Sequence, residues 1–576
     1  MSTTATRITG VGAARGVARG RWADLARPPL PEARPVAASE VAAEVIRLRA
    51  AGQAAGRELM ALSESVRAAG HEAEAAIFKA HALMARDPEL IGEAAREIES
   101  RLVDASTAIT SAGRESAARL AALDDERLRA RATDVLEVAE RMARSLAGLS
   151  GGPVLDRPAI VVADDLGPAA TATLPRELVL GIVLERSSST SHAAILARAY
   201  GIPAVVGASE ALAAVRAAGV QAEVLIDGSS GEVVVAPSPA DLARFDGLAA
   251  DVARTQAVDL AEATVPATTV DGLEISLLAN LGRPDEAVKA VALGATGVGL
   301  FRTEFLFLER ASPPSEDEQT AAYRTVVEAF PGRPVTIRLL DVGGDKPIPY
   351  LPLPKEDNPF LGVRSLRLAV DRPEVFITQI RACHRAAVAG PVRIMAPMIA
   401  DAVDTAAFVE LVERARAELQ RDGVPFGPVE VGVMLEIPSA VLTAASYFDG
   451  ITFASLGTND LLQYTLAVDR GNAALERYRD PLHPALLRLI RLSVEAAEKR
   501  DVSLSVCGEM AADPVAALAL VGLGIRALSM VPSSLPGVRR AIRHADAGQL
   551  RAEAEAACFD SSAADARARI ARLLRR

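Results

Sequence analysis

The chain has 576 residues, half of them hydrophobic but only 3% aromatic, and a formal net charge of −11. At roughly 150 residues per domain, that length predicts three or four domains, each able to bury its own core. The acidic balance, with no basic tract, argues against general nucleic-acid binding, and no apolar run reaches the roughly 18 residues a membrane span needs.

Residues 1–22 read as a short strand–turn segment punctuated by Gly10, Gly12, Gly16 and Gly20, without the spacing of a dinucleotide fingerprint. No apolar core of signal-peptide length occurs there, so a cytoplasmic location is expected. After the Pro-rich stretch 27–35, residues 39–149 are poor in glycine and proline, and aliphatic residues recur at helical spacing among Glu and Arg. That pattern predicts a helical subdomain, stopped by Ser150-Gly151-Gly152-Pro153. From Pro158 to Val235 the runs shorten and become β-rich: Ala159–Ala163, Leu178–Leu184, Ala204–Gly207 and Glu232–Val235. They predict an α/β layer that residues 1–22 join, which makes the helical block an insertion.

Within this layer His192 follows the hydroxyl run Ser187-Ser188-Ser189-Thr190-Ser191 and opens an Ala-rich helix. A helix start offers unpaired N–H groups and a positive dipole end, which suit an anion beside a nucleophilic imidazole. The histidine is therefore either a phosphoryl carrier or a simple helix cap. Residues 237–268 are polar and helix-compatible and read as a linker.

Eight apolar runs then alternate with helical stretches: Ile275–Ala279, Gly297–Phe301, Val335–Leu340, Val392–Pro397, Val431–Leu435, Ile451–Leu456, Val502–Val506 and Ala527–Val531. They fit a (β/α)8 barrel, whose active site gathers residues just after the strands. Those positions hold Arg302 and Glu304, Asp341 with Arg338 in its strand, Glu436, Asn459 and Asp460, and Cys507 and Glu509. So much chemistry at strand ends points to an enzyme. Arg302, Arg338 and Arg470 offer planar forks for phosphate or carboxylate, although a surface ion pair is the default reading of any one arginine. Glu436 and Asp460 are hard oxygen donors suited to Mg²⁺, and no His/Cys cluster proposes zinc. Cys507 is either core filler or an acid. Cys383, Cys507 and Cys558 are widely spaced and odd in number, so reduced thiols are expected rather than a disulfide framework.

Several longer stretches carry a resemblance. Thr190-Ser191-His192-Ala193-Ala194-Ile195 and Gly201-Ile202-Pro203-Ala204-Val205-Val206-Gly207 resemble the phosphohistidine domain of phosphoenolpyruvate-using enzymes. The segments Gly297–Leu306, Asp341–Lys346, Asn358–Arg364, Gly457–Asn472 and Cys507–Met510 follow in matching order. Nearly the whole chain thus resembles Enzyme I of the bacterial sugar phosphotransferase system, the phosphoenolpyruvate–protein phosphotransferases. The resemblance implies an α/β multidomain protein: a phosphohistidine α/β domain from 1–22 and 150–236, an all-helical HPr-binding subdomain at 23–149, a linker at 237–268, and a TIM barrel at 269–576 that binds phosphoenolpyruvate and dimerises. In the helical slot, Ala76-Ile77-Phe78-Lys79-Ala80-His81 is also similar to the family's version. Pyruvate phosphate dikinase and phosphoenolpyruvate synthase share the histidine loop and barrel, but the helical slot leaves no room for their ATP-binding domain. A regulatory relative that feeds a signalling pathway is the competing class.

By resemblance, His192 attacks phosphorus through Nε2, Arg302, Arg338, Asn459, Asp460 and Arg470 bind the substrate, Glu436 and Asp460 hold Mg²⁺, and Cys507 protonates the enolate. The phosphoryl group then passes to the phosphocarrier protein HPr, with the linker as a swivel, in a homodimer. One departure stands out. The family commonly places Gly-Gly and a variable residue before Thr-Ser-His, where this chain has Ser187, Ser188 and Ser189, which lack glycine's access to positive φ.

Overall fold

A computed structural model describes residues 5–24, 30, 33–68, 72–122, 126–149, 155, 157–166, 174–187, 191, 193–194, 197–198, 201–308, 310, 312–343, 348, 350–351, 353, 356–469 and 472–575. The chain divides into two compact units, residues 1–253 and 254–576.

The first unit contains strands β1 (Thr6–Thr9), β2 (Val11–Ala14), β3 (Val17–Asp24), β4 (Ala159–Ala163), β5 (Val179–Leu184), β6 (Ala204–Val206), β7 (Glu223–Asp227) and β8 (Glu232–Val235). They form one mixed sheet in the order β1-β8-β7-β3-β4-β5-β6-β2. The central strands β3 to β6 are parallel neighbours, while β1, β2, β7 and β8 add antiparallel pairs. Strand β4 is buried along its whole length, which is why it reads as a continuous apolar run rather than an alternating one.

Between β3 and β4 the chain makes five helices: α1 (Val41–Ala68), α2 (Glu72–Met84), α3 (Pro88–Arg101), α4 (Ala105–Ala121) and α5 (Glu126–Leu146). Local chemistry sets their starts. Asp87 accepts the Glu89 N–H at 2.8 Å ahead of Pro88, and Asp104 accepts the N–H groups of Ser106 and Thr107 at 3.0 and 3.1 Å. Leu48, Leu59, Phe78, Ile98, Ile109 and Met142 fill the core between these helices. Helix α6 (Ala211–Ala218) packs on the sheet through Val215.

The stretch expected to be a linker is largely helix α7 (Pro239–Ala261). Its start is a reciprocal cap: Ser238 N–H donates to Asp241 at 3.0 Å and Asp241 N–H donates back to Ser238 Oγ at 3.2 Å. Near the start of α7, Phe245 is buried against Leu225 and Val234 of the sheet. Toward its end, Asp259 pairs with Arg540 at 2.5 Å and, just past it, Glu262 pairs with Arg543.

The second unit holds β9 (Ala267–Thr268), β10 (Glu274–Leu281), β11 (Val298–Phe301), β12 (Val335–Arg338), β13 (Val392–Ala396), β14 (Val429–Leu435), β15 (Phe453–Leu456), β16 (Ser503–Val506) and β17 (Ala527–Met530). Strands β10 to β17 are parallel, each bonded to the next, and β10 pairs with both β17 and β11, closing a barrel of eight strands. All eight expected runs are these strands. Helices α8 (Glu286–Ala292), α9 (Glu316–Ala329), α10 (Pro373–Ala386), α11 (Ala402–Arg421), α12 (Pro438–Leu442), α13 (Thr458–Leu466), α14 (Pro484–Arg500), α15 (Pro514–Gly522) and α16 (Leu535–Arg543) lie between or after the strands, and α17 (Ala547–Ala557) and α18 (Ala563–Ala571) complete the unit. The strands and helices share one continuous apolar core. Among the described residues no helix is long and apolar enough to cross a membrane. All three cysteines are buried and free.

Candidate active site

Side chains at the carboxyl ends of the parallel strands converge on one cavity of about 180 Å³. Arg302 directly follows β11, and Arg338 is the last residue of β12. Glu436 directly follows β14, Asn459 and Asp460 lie in the first turn of α13 after β15, and Cys507 directly follows β16. All six were expected at the site, and all six line this cavity. The other two, His192 and Arg470, lie outside the described residues, as do Ser188, Ser189 and Thr190.

Two of the cavity's arginines and three of its carboxylates form an ion-pair network along one wall. Arg338 donates to Glu304 Oε1 at 2.5 Å and reaches Asp341 at 3.2 Å. Arg364 makes a bidentate pair with Asp341, Nε and Nη2 each at 2.8 Å, and Nη2 also reaches Asp460 at 3.2 Å. Ser365 donates its hydroxyl to the same Asp341. Burial opposes the charge on Asp341, but Arg338 and Arg364 outweigh it and hold the carboxyl well below the usual range. Burial also works against both guanidinium charges, and Asp341 together with Glu304 for Arg338 and Asp460 for Arg364 keeps those charges in place.

Glu436 is the opposite case. Its Oε1 accepts the Met398 N–H at 2.7 Å, yet burial first, and then the negative charges of Asp460 and Asp341, push its carboxyl up to about 8. Two residues that touch these carboxylates, Ser365 (φ 54°) and Met398 (φ 60°), occupy the left-handed region, which costs a non-glycine residue on the order of 1 kcal/mol.

That electrostatics suits a divalent cation. Burial and the charges of Asp460 and Asp341 disfavour the Glu436 carboxylate despite Arg338 and Arg364, and a cation held by Glu436 and Asp460 would favour it. The close quarters also fit: a Cβ added at Gly457 would lie 2.8 Å from Glu436 Oε2. Among the described residues no group of three or more His, Cys, Asp or Glu is disposed to hold a metal.

Arg302 is exposed at the cavity, and no carboxylate among the described residues pairs with it. Arg338 and Arg364 already hold carboxylates, but Nε of Arg338 has no hydrogen-bond partner among the described residues. Cys507 sits on an apolar floor made by Leu300, Met395, Met434 and Phe453. Burial raises its pKa, with a Ser455 hydrogen bond acting against the shift, so the thiol keeps its proton at neutral pH. Asn459 Oδ1 accepts the Glu509 N–H at 3.0 Å, tying the loops after β15 and β16 together.

Strand-end reasoning missed Arg364, which lies on the long connection between β12 and α10 rather than at a strand end. Its signal in the sequence is the motif Asn358–Arg364, which by itself assigns the arginine no role. Glu304 and Asp341 were marked by position alone; the geometry makes them the counter-charges of Arg338.

Three family profiles match the chain: "PEP-utilising enzyme, N-terminal" over residues 9–131, "PEP-utilising enzyme, mobile domain" over 155–231, and "PEP-utilising enzyme, PEP-binding domain" over 257–547. The chain is 44% identical over 573 residues to a phosphoenolpyruvate-protein phosphotransferase of Streptomyces coelicolor, covering 98% of both chains. It is 39% identical over 541 residues to one of Geobacillus stearothermophilus, covering 93% of both. A multiphosphoryl transfer protein of Rhodobacter capsulatus is 42% identical over 519 residues, which are 89% of this chain and 61% of that protein.

Proposed function

Because the chain belongs to the family of phosphoenolpyruvate–protein phosphotransferases, we propose that it takes the phosphoryl group of phosphoenolpyruvate onto His192 and passes it to the phosphocarrier protein HPr, releasing pyruvate. This is the first step of a sugar phosphotransferase system. The observation that carries the reading is a cavity that brings together an arginine with no carboxylate partner among the described residues, a pair of neighbouring carboxyl groups and a protonated thiol.

In this reading Nε2 of His192 attacks phosphorus, the bond from phosphorus to the enol oxygen breaks, and its electron pair stays on the enolate. Arg302 and Arg338, with Asn459 and Arg470, hold the phosphate oxygens and stabilise their spread charge. Glu436 and Asp460 would hold Mg²⁺, which when bound supplies Lewis-acid neutralisation of substrate oxygens. The Cys507 thiol gives its proton to C3 of the enolate, yielding pyruvate and a thiolate. The phosphoryl group then moves from His192 to a histidine of HPr, and residues 237–268 serve as the swivel between the two exchanges. The helical subdomain 23–149 is the docking element for HPr, residues 1–22 and 150–236 form the phosphohistidine domain, and residues 269–576 bind substrate and form a homodimer. A cytoplasmic location accords with three free, buried cysteines.

Incubation with radiolabelled phosphoenolpyruvate and Mg²⁺ tests the proposal. The expected result is an acid-labile, base-stable label that is absent in His192→Ala, absent without divalent cation, and transferred to added HPr. Label that survives in His192→Ala, or no label on the wild type, would overturn it.

A further inference from the structure

Behind the charged wall lies a buried amide that the mechanism does not use. Gln379, on α10, is fully buried, and every hydrogen-bonding group of its side chain has a partner. Its Oε1 accepts the Leu340 N–H at 2.8 Å, while Nε2 donates to Thr303 Oγ1 at 3.0 Å and to the Tyr323 hydroxyl at 3.1 Å. The orientation of the amide is fixed by chemistry, because a backbone N–H can only donate and the oxygen must face Leu340. Thr303 in turn donates to the carbonyl of Arg338 at 3.0 Å. Tyr323, whose phenol burial keeps neutral, donates to Gln319 at 3.1 Å, and Gln319 donates to the Pro314 carbonyl at 3.2 Å.

The residues this amide grips are the chain neighbours of the site. Thr303 stands between Arg302 and Glu304, and Leu340 precedes Asp341. Arg338 is held by its backbone through Thr303 and by its guanidinium through Glu304 and Asp341. A buried primary amide is costly unless satisfied; this one is satisfied at both its oxygen and its nitrogen, and an apolar side chain of the same length would take the partner from the Leu340 N–H. What the amide supplies is a fixed spacing between the ends of β11 and β12, which carry both arginines.

We propose that Gln379 is a positioning residue for phosphoenolpyruvate: it locks the ends of β11 and β12 so that Arg302 and Arg338 meet the same phosphate. This rests on the phosphotransferase reading. Gln379→Met keeps length and removes all three hydrogen bonds. The expected result is a fall of about tenfold or more in kcat/KM for phosphoenolpyruvate in His192 labelling, mostly through KM, while labelling of His192 from phosphorylated HPr stays unchanged. Val412→Ala, a cavity in buried α11 packing, serves as the matched control: it should lower the melting temperature similarly and leave kcat/KM within about twofold. A labelled wild type with an unchanged KM in Gln379→Met overturns this inference alone, as does an equal rise in KM in Val412→Ala. A wild type that is never labelled by phosphoenolpyruvate overturns the phosphotransferase reading and this inference with it.

Discussion

Cys507 shows how a burial cost becomes a chemical property. An apolar floor raises the thiol's pKa and so stores a proton next to the cavity at the pH where a general acid has to hold one. Because the shift is upward, the acid form is present below the raised value and is lost only as pH rises through it. The alkaline limb of the rate of pyruvate formation should therefore lie above the ordinary thiol value of 9.0, and a pH–rate profile with the limb at or below that value would remove Cys507 from the role. Cys507→Ala should slow pyruvate formation by about 10²–10⁴-fold, a range typical of a lost general acid, while the circular dichroism spectrum stays unchanged. Arg302 and Arg364 differ for an equally local reason. One faces the cavity without a carboxylate partner among the described residues, while the other is saturated by Asp341 and Asp460.

Among the elements, α9 carries the outer half of the network that supports the site, since Gln319 and Tyr323 both belong to it. Its start is a complete capping box, with Ser315 Oγ accepting the Glu318 N–H at 3.2 Å and Glu318 accepting the Ser315 N–H at 2.8 Å. Ser315→Ala should cost about 1 kcal/mol and lower the melting temperature of this unit by a few degrees. The hydrogen bond from Arg310, then those from Ser315, lower the Glu318 carboxyl from 4.5 to about 2. A depressed carboxyl stabilises the fold above its unfolded value, so that contribution should fade as pH drops from about 4.5 toward 2, and urea titrations across that window would measure it. Elements of this kind were legible in the sequence: buried parallel strands read as unbroken apolar runs, and all eight barrel strands were placed that way. The roles of Arg364 and Gln379 were not legible, although Arg364 lies in a motif that was. Each gains its meaning from partners that only folding brings near, Asp460 for one and Thr303 for the other. The antiparallel pairing of β1 with β8 likewise had only four residues on each side to announce it.

For the molecule as a whole, the two units have separate cores, so heat should unfold them in two steps rather than one. Phosphoenolpyruvate with Mg²⁺ should raise only one of the two calorimetric transitions, by about 2.7 kcal/mol at a hundred times its Kd. A single transition that shifts as a whole would show that the units unfold together. Closure of the barrel has a consequence for how the protein is made. Strand β10 emerges early from the ribosome, yet one of its edges waits for Ala527–Met530 of β17, at the far end of the unit. Until those residues are translated, β10 and the growing end of the sheet both present open edges to any neighbouring chain. A stop codon anywhere upstream of Ala527 therefore yields a polypeptide with no way to shut its own sheet, and such chains are the ones a cell must clear.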